Sequence, residues 1–121
     1  MGEDELLSRA ISRLTEKFRV KAVILFGSRS RGDWGPWSGY DLLIIAEFSE
    51  KYLDRVKSTL ECLKDVRLPI EPHPYTLSEA LDMLRRGNPA VVDALEEGRV
   101  LYADEELKVL KDVYVELKRR G

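Results

Sequence analysis

Gly27 and Ser28 directly follow the apolar run Ala22-Val23-Ile24-Leu25-Phe26. A glycine and a serine at such a place let the backbone approach an anion closely, with amide donors and a hydroxyl aimed at it. Arg29 and Arg31 add positive charge, and after ten intervening residues Gly39-Tyr40-Asp41 opens a second apolar run, Leu42-Leu43-Ile44-Ile45. Strand alternation sends positions 39, 41, 43 and 45 to one face, so carboxylates at both 39 and 41 would converge on a shared metal. Position 39 is glycine. These residues read as a phosphate-binding turn facing one half of a carboxylate pair. A plain turn with solvated arginines, and Asp41 capping the loop, accounts equally well for the residue types alone.

The elements that must position these residues are legible around them. Leu7, Ala10, Ile11, Leu14 and Phe18 recur at helical spacing and predict an amphipathic helix over 3–18. Val20 to Phe26 reads as a strand buried on both faces, and Tyr40 to Ala46 as a second. Between them, Gly27, Gly32, Gly35 and Pro36 make a long turn-rich loop with room for a short helical turn. Ser49 is the expected N-cap of a helix whose buried stripe is Leu53, Val56, Leu60 and Leu63. A third strand is expected at Ile70 to Tyr75. Pro72 and Pro74 share parity, so their missing donors lie on one lateral side, as an edge strand allows. Thr76 with Glu79 forms a capping box for a helix closed by Gly87, and Asn88-Pro89 starts another that runs to about Glu97 before Gly98. A brief strand at Val100 to Tyr102 and a last helix from Asp104-Glu105-Glu106 to Lys118-Arg119-Arg120 complete an α/β (α+β) pattern.

With 121 residues the chain predicts one domain, 1–121, with one core. The 20 basic and 22 acidic residues give a net charge of -2, which supplies no global field for nucleic acid. Charged residues at 35% imply a densely charged surface; glutamine is absent and Asn88 is the only asparagine, a combination expected of a heat-adapted protein. One cysteine, Cys62, excludes an internal disulfide and, with the single histidine His73, cannot complete the tetrahedron of a structural zinc. No signal peptide or membrane-length apolar run is present, so the expected location is cytoplasmic.

The spacing of Gly27-Ser28, the ten residues that follow, and the acid opening the next strand resembles the signature of the DNA polymerase beta-like nucleotidyltransferase superfamily. In size and layout the chain is similar to its minimal nucleotidyltransferase branch. The likeness is strong over 27–45 and looser over the Glu71 strand, Asn88-Pro89 to Gly98 and Leu101-Tyr102. It implies a small mixed β-sheet packed with helices, and a triphosphate held by Gly27 and Ser28 with Arg31 close by. It further implies that Asp41 is the second acid of an Asp-x-Asp pair and Glu71 the third carboxylate, the two holding Mg²⁺ and Glu71 helping to deprotonate the acceptor. The implied reaction is transfer of a nucleoside monophosphate, AMP from ATP above other NTPs, with pyrophosphate leaving. The implied partner is an all-helical HEPN toxin. Gly39 departs from the pattern, since it stands where the family has its first, metal-bridging Asp. Without that ligand two-metal catalysis should be impaired, while one cation could still enter with ATP.

Other residues read less sharply. His73 shares the Glu71 strand face and could line the same cleft, although a structural or surface role fits a lone histidine better. Trp34, Trp37 and Tyr40 fit anchoring of their loop better than base stacking. Lys51, Arg55 and Lys57, interleaved with Glu50, Asp54 and Glu61, read as a solvated helix face. Leu107, Leu110, Tyr114 and Leu117 follow the spacing of a packing seam that Val109, Val113 and Val115 broaden, which suits body packing or association with a partner or second copy. Two functions compete: transfer of AMP to a hydroxyl of a partner protein, and a module that has lost catalysis through Gly39 and acts by contact alone. Modification of a small molecule is weaker, since no acceptor domain is seen.

Overall fold

The computed structural model describes residues 2–32, 35 and 38–120. In chain order, helix α1 (Glu3–Lys17) leads to strand β1 (Val20–Phe26), short helix α2 (Ser28–Arg31) and strand β2 (Tyr40–Ala46). Helix α3 (Tyr52–Cys62), strand β3 (Ile70–Tyr75), helices α4 (Leu77–Arg85) and α5 (Pro89–Glu97), strand β4 (Arg99–Ala103) and helix α6 (Leu107–Arg120) follow. The strands form one sheet in the order β3-β2-β1-β4, with β1 antiparallel to both β2 and β4, and β2 parallel to β3. This is the expected small mixed sheet packed with helices. The proline-bearing β3 is an edge strand, where missing donors are tolerated.

The central strands are continuously apolar because helices cover both faces. Val23, Leu25, Leu42 and Ile44 pack with Leu7, Ala10 and Leu14 of α1 and with Leu63 beyond α3. Ile24, Leu43 and Ile45 pack on the other face with Ala80 and Leu84 of α4, Val91 and Ala94 of α5, and Leu107 and Leu110 of α6. The caps are those that the sequence predicts. Thr76 and Glu79 form a reciprocal capping box, Asn88 Oδ1 accepts the Ala90 and Val91 amides, and Gly87 ends α4 at φ 74°.

Helix α3 departs from expectation. Its N-cap is Lys51 rather than Ser49, and the predicted buried stripe faces outward: Leu53 is 73% and Leu60 46% exposed, and only Leu63 is buried. The buried positions are Arg55 and Thr59. Arg55 is therefore not on a solvated face. Its Nη1 and Nη2 donate to the two Glu79 carboxylate oxygens at 2.6 and 3.2 Å, Nε donates to the Glu50 carbonyl at 2.8 Å, and the guanidinium lies over the Phe48 ring. A fully bonded guanidinium with an aromatic floor can be buried where an unpaired one cannot. In α6 the seam is used within the body: Leu107 and Leu110 are buried, and Val113, Tyr114 and Leu117 pack beside them, while Val109 and Val115 stay exposed. That helix begins at Leu107, after Asp104 Oδ1 accepts the Glu106 amide at 2.8 Å.

Candidate active site

β1 ends where β2 and β3 begin, and the register places Phe26 opposite Asp41 and Asp41 opposite Glu71. Three neighbouring strands thus present Phe26, Asp41 and Glu71 level with one another at one end of the sheet. His73 lies two residues along β3, on the same face. Its Nε2 is 3.0 Å from Asp41 Oδ1, and one ligand atom each from Asp41, Glu71 and His73 falls within 4.8 Å of the others. The Phe26 ring and the imidazole pack in a T-shaped arrangement, centroids 5.0 Å apart. Sequence parity placed His73 on this face, but the parallel pairing to β2 brings it onto Asp41.

Glycine is required at position 27 on two counts. Its φ of 76° lies in the left-handed region, and a Cβ there would stand 2.7 Å from Asp41 Oδ2. The turn into α2 therefore lies directly against the carboxylate. Gly39 is different. Its backbone is ordinary, yet a Cβ would meet Glu71 Cδ and Oε1 at 2.7 Å. The Glu71 carboxyl occupies the space into which a side chain at position 39 would grow, so replacing Gly39 requires the flexible end of Glu71 to move.

α5 braces the turn. Asp93 Oδ2 accepts the Gly27 amide at 3.1 Å and the Arg31 guanidinium at 3.1 Å, Glu97 Oε2 lies 3.9 Å from Arg31 Nε, and Ser30 Oγ donates to the Glu97 carbonyl. Arg29 stacks on the Tyr40 ring at 4.3 Å and donates to the Ser38 carbonyl. Tyr40 is buried and donates to Glu3, so it anchors the start of β2. Trp34 and Trp37 lie outside the described residues. Sequence reasoning missed Asp93, for nothing in its own helix marks a carboxylate whose partner is 66 residues away.

The electrostatics of the cluster are those of crowded negative charge. A hydrogen bond to Asp41, partial burial and repulsion from Asp41 raise the Glu71 carboxyl above the usual carboxylate range, and His73 opposes this only in part. Two carboxylates and an imidazole nitrogen converging on one point fit a single divalent cation. With Gly39 in place of an acid they do not fit a bridged pair of Mg²⁺ ions.

Residues 7–102 match the family model described as the nucleotidyltransferase domain. The chain belongs to this family. Among similar proteins is the Methanocaldococcus jannaschii protein named "Putative protein adenylyltransferase MJ0604", 30% identical over 104 residues that span 84% of this chain and all of that protein. The nucleotidyltransferase fold is shared with solved structures at low identity. A chain from a mutant form of the toxin-antitoxin MntA-HpeT superposes with a TM-score of 0.64 at 14% identity, covering 94% of this chain and 86% of its own. A chain from a toxin-antitoxin with AMP-PNP gives 0.61 at 13%, covering 98% and 89%. A chain from the tri-AMPylated Shewanella oneidensis HEPN toxin in complex with MNT antitoxin gives 0.59 at 13%, covering 98% and 88%. Among the described residues no helix is long and apolar enough to cross a membrane.

Proposed function

We propose that this chain acts as a minimal nucleotidyltransferase that transfers AMP from ATP to a hydroxyl of a partner protein, as the antitoxin of a HEPN-type helical toxin. The observation that carries this reading is the contact of the Gly27 turn with Asp41, level with Glu71, at the end of three adjoining strands. A turn that favours anions against a carboxylate pair suits a nucleotide triphosphate accompanied by a cation. The adenylyltransferase name of the M. jannaschii relative and the AMPylated HEPN toxin among the fold neighbours support the choice of AMP and partner.

In this mechanism Ser28 holds the triphosphate at the turn that Gly27 opens, the Gly27 amide itself being bonded to Asp93, and Arg31, steadied by Asp93, lies beside it. Asp41 and Glu71 would hold one divalent cation, Mg²⁺ by analogy with the family, which when bound neutralises phosphate charge. The acceptor oxygen forms a bond to the α-phosphorus while the bond from that phosphorus to the bridging oxygen breaks and pyrophosphate leaves. The hydroxyl proton passes to the Glu71 carboxylate, which the β3 register sets level with Asp41 at the mouth of the site. Gly39 favours a second reading, a module that neutralises its partner by contact alone.

The deciding experiment supplies α-labelled and, separately, γ-labelled ATP with a HEPN-type partner. Label from α-labelled ATP alone should appear on the partner and vanish with Asp41→Asn. Neutralisation of the partner without label, unchanged by Asp41→Asn, would establish the contact-only module instead.

A further inference from the structure

We propose that His73 is a metal ligand, and that Asp41, Glu71 and His73 together form a single-ion site selecting a first-row transition ion such as Mn²⁺ over Mg²⁺. This rests on the proposed nucleotidyltransferase reading but concerns which ion the site takes.

Three observations carry it. The first is the ligand set: one nitrogen and two carboxylate oxygens lie within 4.8 Å of one another, drawn from adjacent strands in fixed register. The second is spacing. His73 Nε2 and Asp41 Oδ1 are 3.0 Å apart, and neighbouring ligand atoms on a six-coordinate shell with bonds of roughly 2.1 Å stand about 3 Å apart. The third is position 39. The Glu71 carboxyl lies over the α-carbon of Gly39, in the space a side chain there would claim. An Asp at position 39 would have supplied another oxygen ligand. Here the set becomes two oxygens and a nitrogen instead. Mg²⁺ gains little from exchanging a water for an imidazole, whereas the first-row transition ions gain from a nitrogen ligand, Mn²⁺ least and the later ions more. The imidazole packs against the Phe26 ring with its Nε2 already beside Asp41, so the nitrogen needs little reorganisation to bind.

The alternative is that Nε2–H merely donates to Asp41 and steadies it, with no metal bond.

Because His73 is the only histidine, an imidazole nitrogen on a bound metal can come only from it. The full chain, stripped of metal, is titrated without nucleotide with Mn²⁺ and with Mg²⁺ by calorimetry, and the Mn²⁺ form is examined by pulsed electron paramagnetic resonance for nitrogen coupling. We expect coupling of the imidazole type in the wild-type chain and its loss in His73→Gln. That substitution should weaken Mn²⁺ by at least the roughly tenfold that losing even an outer-shell partner costs, and leave Mg²⁺ nearly unchanged. His73→Asp should move the preference back toward Mg²⁺. Mn²⁺ bound without nitrogen coupling in the wild-type chain overturns the proposal whether or not the variants fold, and so does equal affinity for the two ions. AMP transfer is scored separately. Transfer supported equally by Mg²⁺ and indifferent to His73→Gln would sink the ligand proposal and keep the enzyme reading. Nitrogen-coupled Mn²⁺ with no transfer would do the reverse.

Discussion

Glu71 lies at the start of β3 and Glu79 in the first turn of α4, which follows the strand's other end, and the two carboxyls are displaced in opposite directions. Glu79 receives the Arg55 guanidinium and the Thr76 amide, which hold it below the usual carboxylate range. Glu71 faces a second carboxylate and is held above it. One side is electrostatically satisfied and completes a helix cap; on the other two carboxylates crowd beside the Gly27 turn, opposed only by the His73 imidazole. Carboxylates crowded at the end of a well-packed sheet are a perturbed cluster of the kind that functional sites collect.

The comparison can be broken most severely at the unsatisfied end. Asp41→Asn should lower AMP transfer by on the order of 10²–10³-fold, the scale on which single electrostatic groups act on developing charge, while the melting temperature stays level or rises. A large loss of stability instead would make Asp41 a structural residue like Glu79. At the satisfied end, Arg55→Ala should cost about 2 kcal/mol in urea unfolding, because it strips Glu79 of charged hydrogen bonds and uncovers Phe48, and should leave Mn²⁺ binding intact. Gly27→Ala should cost about 1–2 kcal/mol through its left-handed backbone, and should also weaken ATP binding measured by calorimetry, because the new Cβ presses on Asp41.

Gly39→Asp tests whether Glu71 can yield its place. Since only a flexible side-chain end obstructs the new Cβ, the fold should persist and Mg²⁺ should bind roughly tenfold more tightly, about 1.4 kcal/mol. Unchanged Mg²⁺ affinity with circular dichroism intact would mean that Glu71 does not move. The smallest effect is in the pH dependence. Glu79, depressed in the fold, contributes stability that is present above its unfolded value and fades as pH falls through its folded one, so Glu79→Gln should flatten the acid limb of the stability curve. Glu71, raised in the fold, contributes stability at low pH that fades as pH rises through its folded value, so Glu71→Gln should gain stability toward neutrality. Both slopes can be read from urea midpoints across the acid range, and equal signs would refute the contrast.

Much of this arrangement was legible in local chemistry. The capping box, the Asn88-Pro89 start and the left-handed Gly87 each depend on residues within four positions, and each appears as read. The proline parity of β3 correctly placed it at an edge. The α3 stripe misled because periodicity identifies a face without naming what covers it. Leu53 and Leu60 satisfy the spacing, but the groove beneath α3 offered Arg55 a carboxylate and an aromatic ring.

For the candidate site, the sequence by itself determined the ingredients: an anion-favouring turn after a buried strand, one acid at the head of the next, a glycine where its companion would stand, and an acid with a histidine on one face of an edge strand. These follow from residue type and the twofold alternation of strands, which act over a few residues. Only the tertiary structure decided that β3 runs parallel to β2 in the register that sets Glu71 beside Asp41, that the Glu71 carboxyl takes up the space at Gly39, and that Asp93 holds the turn from a helix far along the chain. Those contacts join residues 30 to 66 positions apart, and no local rule fixes them. They result from how a four-stranded sheet packs helices against both of its faces.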